Sequence, residues 1–342
     1  MWRKKGWLTF GLVMLVILGL MLLSACGGKQ EGQPGQAAGG AKQRISIGTG
    51  GTGGTYYPYG GAVANIINKY VPNVEATAEV TGASVENLRL VASGEAQLGL
   101  CMDDAVFHAI KGIAEFDKPL EVRTLFEMYP HFFHVVTLQE YPIKTMNDLK
   151  GKKVSVGAPG SGTEVMARQV LEALGITYND FNVFRLSFSE NTEALRDKVI
   201  DVGIWSVGPP TSSVMDLATT HKIRLIGFTD EELAKVQEKH PYYASMELPA
   251  GTYQGVDYAV KAPSVWNTVV VSKNMAEDLA YQIIKAVYEH VDEIIQVYPG
   301  AKYTTPDATL QNAVAPLHPG VVKYMKEINK QVPAELLPPE MK

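Results

Sequence analysis

Cysteine is scarce in this chain, and so is any excess of basic charge. Only two of the 342 residues are cysteine, and 31 basic residues stand against 36 acidic ones. Two cysteines allow at most one intramolecular disulfide. Without a basic cluster or basic face, nucleic acid is not expected as a partner. Beyond residue 25 no apolar run is long enough to predict a membrane span.

Motifs of catalysis and metal binding are missing as well. The sequence contains neither H-E-x-x-H nor G-x-S-x-G. His131 and His134 have no carboxylate between them and point to opposite faces of a predicted strand, so we interpret both as structural. Asp103 and Asp104 pair two carboxylates at a strand end, without a nucleophile, and either bind an amine or hydroxyl of a ligand or are solvated. We therefore expect no enzyme, no cofactor and no metal.

The N-terminus has the pattern of a lipoprotein signal. Residues 3–5 are basic and precede an uncharged apolar run over residues 7–23, which suits the core of a signal peptide. A leucine, a serine and an alanine then lead to Cys26, which resembles a lipobox. We predict a signal peptide over residues 1–25 and lipidation of Cys26, with a plain transmembrane anchor as the alternative. Cys101 then has no disulfide partner and is expected in the core.

Export and anchoring follow from this signal. Without its signal the chain has 28 basic and 36 acidic residues, a net charge of −8. Residues 26–43 are rich in Gly, Gln and Ala and predict a flexible tether. We expect the protein on the outer face of the cytoplasmic membrane, at the cell surface or in the periplasm, held by its lipid.

The remaining chain alternates strands and helices, which favours a largely parallel sheet in each of two α/β domains. We predict one domain from residues 44–136 with 266–342 and a second from residues 137–265. Residues 267–272 are expected to return the chain to the first domain and to pair with residues 133–138 as a two-strand hinge. Residues 279–298 predict one long amphipathic helix. A cleft between domains joined by two crossings suits closure over a ligand.

A glycine-rich loop is the densest functional signal. Residues 48–54 hold five glycines between a predicted strand and a predicted helix. Glycine lets the backbone approach a ligand, and the unpaired N–H groups at a helix start favour an anion. The same glycines satisfy the dinucleotide fingerprint G-x-G-x-x-G, but export argues against a nicotinamide cofactor.

A matching loop opens a helix in the second predicted domain, at residues 159–164. Ser161 or Thr163 is suited to cap that helix, and capping does not exclude ligand contact. Trp205 ends another predicted strand, where it either forms a wall of the cleft or packs in the core. Two helix starts facing each other, one from each domain, would clamp an anionic ligand as the cleft closes.

These loops, together with residues 84–88, 94–98, 205–210 and 316–320, resemble the TAXI family of solute receptors, which serve tripartite ATP-independent periplasmic (TRAP) transporters. The resemblance runs from about residue 45 to residue 330. It implies a type II periplasmic-binding-protein fold, no catalysis, and a permease partner that uses an ion gradient. It also implies small carboxylate ligands, among them glutamate-like amino acids and 2-oxo acids.

The resemblance assigns the ligand-binding residues, and we expect the receptor to be a monomer. The assigned residues are Thr49, Gly53, Thr55, Tyr56, Asn87 and Asp104 in the first domain and Ser161, Gly162, Thr163, Trp205 and Tyr253 in the second. No arginine is clearly placed at the cleft, since Arg168 lies within a helix and Arg185 on a strand. The alternatives are an exported enzyme that uses Asp103 or Asp104 on a small carboxylate, and a surface sensor lipoprotein.

Overall fold

The structure is a computed structural model that describes residues 42–342, so the predicted signal peptide, the lipidated Cys26 and nearly all of the tether lie outside the described residues. Within that range the strands are β1 (Gln43–Gly48), β2 (Val74–Glu79), β3 (Leu98–Met102), β4 (Val122–Glu127), β5 (His131–Leu138), β6 (Lys153–Ser155), β7 (Asn182–Phe184), β8 (Val202–Val207), β9 (Ile223–Leu225), β10 (Ala244–Leu248), β11 (Val260–Val265) and β12 (Asn267–Ser272).

Helices connect and cover these strands. The α helices are α1 (Tyr56–Tyr70), α2 (Ser84–Ser93), α3 (Asp103–Lys111), α4 (Gly162–Ala173), α5 (Phe188–Arg196), α6 (Ser212–Thr220), α7 (Asp230–Lys239), α8 (Glu277–Glu289), α9 (Val291–Val297), α10 (Pro306–Asn312) and α11 (Pro319–Glu327). Short 3-10 helices occupy Met146–Leu149, Pro299–Tyr303, Ala334–Leu336 and Pro339–Met341. Across residues 42–342, no helix combines the length and the apolar composition needed to cross a membrane.

The strands form two sheets. The first has the order β2-β1-β3-β12-β4, and the second has the order β10-β11-β5-β8-β6-β7, with β9 paired to β5. β1 runs parallel to β2 and β3, whereas β12 runs antiparallel to both of its neighbours. β3, β4, β5 and β8 are buried along their whole lengths, as expected of strands covered on both faces. The predicted α/β fold, with two sheets, is confirmed. The expectation of largely parallel sheets is wrong for the second sheet, where β5 runs antiparallel to β8, β9 and β11 and the parallel pairs are those of β6 with β7 and β8.

The chain passes between the two sheets twice, at residues 128–130 and at Trp266. The two crossings lie side by side. The backbone N–H of Met128 donates to the carbonyl of Asn267 at 2.7 Å, and the amide Nδ2 of Asn267 donates to the carbonyl of Tyr129 at 2.7 Å. These bonds make the crossings a two-stranded connection between the sheets.

The expected pairing of residues 267–272 with residues 133–138 is wrong. β12 pairs with β3 and β4, while β5 pairs with β8, β9 and β11. The two segments are hydrogen-bonded to each other at the crossings, through Met128, Tyr129 and Asn267, and each strand pairs within its own sheet. The domain bounds stay a prediction. The first part of the first domain is predicted to end at residue 136, whereas the chain passes from the first sheet to the second at Pro130.

Two helices also differ from expectation. The long helix over residues 279–298 is broken at His290, whose φ of −127° and ψ of 24° are not helical, and α8 and α9 lie on either side. The His290 ring stacks on Tyr70, with 3.5 Å between ring centroids. Asp103 and Asp104 begin α3 directly after β3 instead of ending a strand.

Candidate ligand-binding site

A cavity of about 310 Å³ lies between the two sheets, within the size range of small-molecule sites. Four helices begin at its wall: α1 and α2 beside the first sheet, and α4 and α5 beside the second. The lining consists of residues 50–56, 80–84, Met102, His131, Ala158, 161–163, 187–189, Ser206 and Val207. None of these described lining residues is Asp, Glu, Lys or Arg.

The backbone N–H groups at these helix starts are the polar groups best placed to hold an anion. In α4 the Ser161 hydroxyl accepts from the N–H of Glu164 at 3.1 Å, which leaves the N–H groups of Gly162 and Thr163 for a ligand. In α2, by contrast, the N–H groups of Val85 and Glu86 already donate to the carbonyl of Gly160, at 3.1 and 3.3 Å. At the starts of α1 and α5, the N–H groups of Tyr56 and Phe188 donate to no group of residues 42–342. The starts of α1, α4 and α5 are therefore the open ones.

The glycine-rich loop approaches α5 too closely for a side chain. A Cβ on Gly53 would lie 2.6 Å from the Ser189 hydroxyl and 3.1 Å from the Ser189 backbone nitrogen. The carbonyl of Gly53 accepts from the Thr211 hydroxyl at 3.1 Å and from the Ser212 hydroxyl at 3.4 Å. Glycine is thus required where the loop of the first sheet meets elements of the second.

The second loop meets the first sheet in the same way. A Cβ on Gly162 would lie 2.5 Å from Met102 Sδ and 2.7 Å from the Ser84 hydroxyl. Ser161 caps α4 and also donates its hydroxyl to the carbonyl of Ala158 at 2.7 Å. Both glycine loops therefore line one cavity and contact the opposite side of it.

The start of α1 is fastened to the two crossings. The Tyr129 hydroxyl donates to Thr55 Oγ1 at 2.9 Å, and the Tyr56 hydroxyl donates to the amide oxygen of Asn267. Tyr129 belongs to the first crossing, and Asn267 directly follows the second. A ligand that moves the start of α1 thus acts on the connection between the sheets.

Several residues assigned from the resemblance stand behind the lining. Thr49 donates its hydroxyl to the carbonyl of Glu79 at 2.6 Å. The buried amide of Asn87 donates to the carbonyls of Thr49 and Leu100, at 2.7 and 2.8 Å. These bonds hold the glycine loop against β3 but leave Thr49 and Asn87 outside the lining.

Trp205 and Tyr253 likewise support the lining. The Trp205 indole is fully buried, donates to the Ser213 hydroxyl at 3.1 Å, and lies 6.2 Å, between ring centroids, from the lining residue Phe188. The Tyr253 hydroxyl accepts from the backbone N–H of Thr211 at 3.2 Å. Of the assigned residues, those that line the cavity are Gly53, Thr55, Tyr56, Ser161, Gly162 and Thr163.

Asp104 is buried outside the lining. Its carboxylate accepts from the Tyr243 hydroxyl at 2.7 Å and from the N–H of Ala105 at 2.8 Å. Burial raises its pKa from 3.8 to about 6. Because Tyr243 lies in the second half of the chain, this bond is another link between the two sides.

A comparison with models of known protein families identifies the family of this chain. The model described as the NMT1-like family matches residues 47–328. The chain belongs to the NMT1-like family. The assignment rests on this match, which covers both glycine loops.

Solved structures similar to this NMT1-like chain include three proteins with low identity. The periplasmic aliphatic sulphonate binding protein SsuA from Escherichia coli is 14% identical, with 78% of this chain and 77% of that chain covered and a TM-score of 0.43. The alkanesulfonate-binding protein SsuA from Xanthomonas axonopodis pv. citri is 15% identical, with 85% and 92% covered and a TM-score of 0.45. The ligand binding component of an ABC-type import system from Staphylococcus aureus is 10% identical, with 88% and 98% covered and a TM-score of 0.48.

His131 lines the cavity of this NMT1-like chain, although the sequence analysis interpreted it as structural. It is 3% exposed, and neither ring nitrogen has a hydrogen-bond partner within residues 42–342. Burial, with a smaller effect of His134, holds its pKa well below the usual value, so the ring is neutral. His134 is structural: its Nδ1 lies 2.8 Å from the Phe132 carbonyl oxygen and its Nε2 lies 2.9 Å from the Tyr253 hydroxyl.

Two further carboxyl groups are buried beside the crossings. Burial and the neighbouring charge of Asp104 raise the pKa of Asp103, and burial and Asp103 raise that of Glu127, both well above the ordinary values. Neither residue lines the cavity. No group of three or more His, Cys, Asp or Glu residues suited to a metal ion occurs within the described part of the chain.

Proposed function

We propose that this NMT1-like protein is an extracytoplasmic solute-binding receptor that holds a small carboxylate in the cavity and delivers it to a membrane permease. The observation that carries the proposal is a cavity lined by three open helix starts and, among the described residues, by no charged side chain. Backbone N–H groups and helix dipoles there favour an anion without any basic residue.

The two arginines considered for the cleft are engaged elsewhere, which supports backbone recognition. Arg168 donates to the Glu115 carboxylate, and Arg185 lies 3.7 Å from the Glu164 carboxylate. Neither arginine lines the cavity. A carboxylate held by N–H groups loses water but gains directed donors, which is the arrangement that buried anions require.

Closure of the two sides around the ligand is part of the proposal. The loops meet across the cavity through Gly53 and Gly160, while the two crossings form a narrow connection. We propose two domains, residues 44–136 with 266–342 and residues 137–265, that move about this connection. The sensor alternative shares the cavity and differs only in having no permease.

An exported enzyme is a weaker proposal. Its candidate groups, Asp103 and Asp104, are buried and outside the lining, and Asp104 already accepts two hydrogen bonds. A catalytic carboxyl has to reach the substrate in a plausible pose.

Thermal denaturation tests the ligand proposal. The full-length protein is heated with millimolar mono- and dicarboxylates, amino acids and sulfonates, each compared with chloride of equal ionic strength. A ligand that binds the folded state alone must raise the melting temperature, and a concentration of 100 Kd stabilises by about 2.7 kcal/mol. We expect a rise with at least one small carboxylate; no rise with any compound contradicts the proposal.

Uptake by cells tests the permease proposal. The resemblance supports a TRAP-type permease, and lipidation of Cys26 would raise the local concentration of the receptor beside it. We expect uptake of the labelled ligand to require this protein, to stop when an ionophore removes the ion gradient, and to continue when ATP is depleted. Dependence on ATP instead would favour an ABC-type permease, and unchanged uptake without the protein would favour a sensor.

A further inference from the structure

The cavity contains a feature that bears on which carboxylate it accepts. We propose that it selects acids with an oxo or hydroxyl substituent over the amino acids of the same skeleton, and that His131 is the specificity-determining residue that contacts this substituent. The inference rests on the proposed function, since it concerns the same cavity and takes the ligand to be a carboxylate.

An ammonium group has no charged partner in the lining. The side chains around the cavity are hydroxyls, apolar groups and the single imidazole of His131, with no carboxylate among the described lining residues. The helix starts of α1, α4 and α5 direct partial positive charge inward. A desolvated ammonium beside these dipoles, without a counter-charge, is strongly disfavoured.

The nearest buried carboxyl groups do not supply that counter-charge. Burial raises the pKa values of Asp103 and Glu127 well above the ordinary range, so the charged form of each carboxyl group is disfavoured. Asp104 is engaged by the Tyr243 hydroxyl and by the N–H of Ala105. All three lie outside the cavity lining.

Among the described residues that line the cavity, His131 is the buried side chain whose polar atoms have no partner. It lines the cavity, is 3% exposed, and has both ring nitrogens free of hydrogen bonds to residues 42–342. Buried polar atoms are almost always paired in folded proteins, so an unpaired imidazole at a cavity wall indicates a ligand atom as the partner. Its ring is packed between Tyr56 and Tyr129, at centroid distances of 5.1 and 5.6 Å, which fixes its position.

A neutral imidazole matches an uncharged oxygen substituent. It carries one N–H donor and one nitrogen acceptor, so it can donate to an oxo group or accept from a hydroxyl group. The ligand carboxylate then binds the helix N–H groups while His131 contacts the substituent. A ligand lacking the substituent leaves the imidazole unpaired, and one carrying an ammonium group adds an uncompensated charge.

Calorimetric titration of the full-length protein with matched acids tests this inference. The five-carbon series is 2-oxoglutarate, 2-hydroxyglutarate, glutarate and L-glutamate; the three-carbon series is pyruvate, L-lactate, propionate and L-alanine. We expect the oxo or hydroxy acid of the series that binds to exceed its amino acid by about tenfold or more in affinity, the effect of one hydrogen bond or one unpaired charge.

Variants of His131 test the residue. In His131→Phe we expect the oxo and hydroxy acids to lose about tenfold in affinity while the unsubstituted acid keeps its own, so that the preference disappears. His131→Asn retains a donor and an acceptor and should restore part of the preference. Circular dichroism of both variants without ligand checks the fold, and the wild-type ranking stands even if His131→Phe does not fold.

The outcomes separate the two proposals. If an amino acid binds as tightly as its oxo acid, or more tightly, the inference is overturned while the carboxylate receptor stands. If His131→Phe weakens all members of a series equally, the role of His131 is overturned. If the wild-type protein binds no member of either series, and no other carboxylate raises its melting temperature, the proposed function fails together with the inference.

Discussion

Gly53 lies at a close approach between the two sides of the cavity. A methyl group there would meet the Ser189 hydroxyl at 2.6 Å and the Ser189 backbone nitrogen at 3.1 Å. The side chain can rotate away, but the backbone cannot. The added methyl group therefore destabilises the arrangement in which the glycine loop contacts α5. This is the arrangement proposed to hold a ligand.

We expect Gly53→Ala to lower ligand affinity by about ten- to a hundredfold, since overpacking of this kind costs about 1–3 kcal/mol. Calorimetric titration measures the change. Gly61→Ala is the matched control: that glycine lies within α1 and a Cβ there has no neighbour within 4 Å. The control should keep its affinity and gain about 0.5–1 kcal/mol in free energy of unfolding. Equal affinity of both variants would contradict the close approach.

Asp104 gives the stability of the protein a pH dependence. Burial raises its pKa from 3.8 to about 6, so the folded state holds the proton more tightly than the unfolded state does. The contribution of the protonated group is fully present below pH 3.8 and is lost as the pH rises through about 6. Asp103, which also has a raised pKa, acts in the same direction.

For Asp104→Asn we expect a gain over wild type in the free energy of unfolding that grows by about 2.4 kcal/mol between pH 4 and pH 7. Chemical denaturation at a series of pH values measures it in both proteins. The buried histidines change the pH dependence of stability in the opposite sense, but they are present in both the wild type and the variant. The difference in free energy of unfolding between the two proteins therefore isolates the effect of the carboxyl group of Asp104. A difference that stays flat, or shrinks as the pH rises, would show that Asp104 is charged in the folded state near pH 4.

At the residue scale, the sequence predicts where the two glycine loops lie but not which of the other residues line the cavity. Six assigned residues line the cavity because glycines and helix-capping hydroxyls mark where a backbone turns at a sheet edge. Asn87 and Trp205 lie one layer behind it, since spacing does not show which side of an element faces a cleft. His131 was missed for the same reason: strand alternation separates it from His134 but does not tell which face is the cavity.

At the scale of single elements, α4 serves both stability and binding. Its cap, Ser161, accepts from the N–H of Glu164 at 3.1 Å and also lines the cavity. Thr229 caps α7 in the same way, accepting from the N–H of Glu232 at 3.2 Å, but lies outside the lining. Comparing the two caps therefore separates the effect of a helix cap on stability from its effect on ligand binding.

We expect Ser161→Ala and Thr229→Ala each to lower the free energy of unfolding by about 0.5–2 kcal/mol, the usual effect of losing a cap. Only Ser161→Ala should also weaken ligand binding, because its helix start frays at the cavity. Thermal denaturation and calorimetric titration measure the two effects. A loss of affinity in Thr229→Ala, or none in Ser161→Ala, would separate α4 from the site.

Elements with strong periodicity were predicted well. Alternating residues predict β1 and β2, and the recurrence of Val63, Ile66 and Ile67 predicts α1, because each pattern matches a buried face. The β-branched run over residues 267–272 predicts β12. The start of α3 was not found, because Asp103 and Asp104 read as the polar end of a strand. The break at His290, whose ring stacks on Tyr70, leaves no mark in the hydrophobic period.

At the scale of the whole molecule, the cavity and the crossings form one connected system. The start of α1 is bonded to Tyr129 and Asn267, and the glycine loop is bonded to Thr211 on the far side. A ligand at the helix starts therefore contacts elements of both sheets and the connection between them. The sequence predicted two crossings but not their partners, since strand pairing depends on contacts distant in the chain.

The central claim is that backbone N–H groups of opposing helix starts hold the carboxylate. A crystal structure of the protein with the acid that gives the largest rise in melting temperature tests it most directly. We expect carboxylate oxygens within about 2.7–3.2 Å of the N–H groups at the starts of α1 and α4 or α5. A ligand bound instead in the groove between Tyr129 and Tyr298, or a carboxylate paired with a lysine or arginine, would contradict the account.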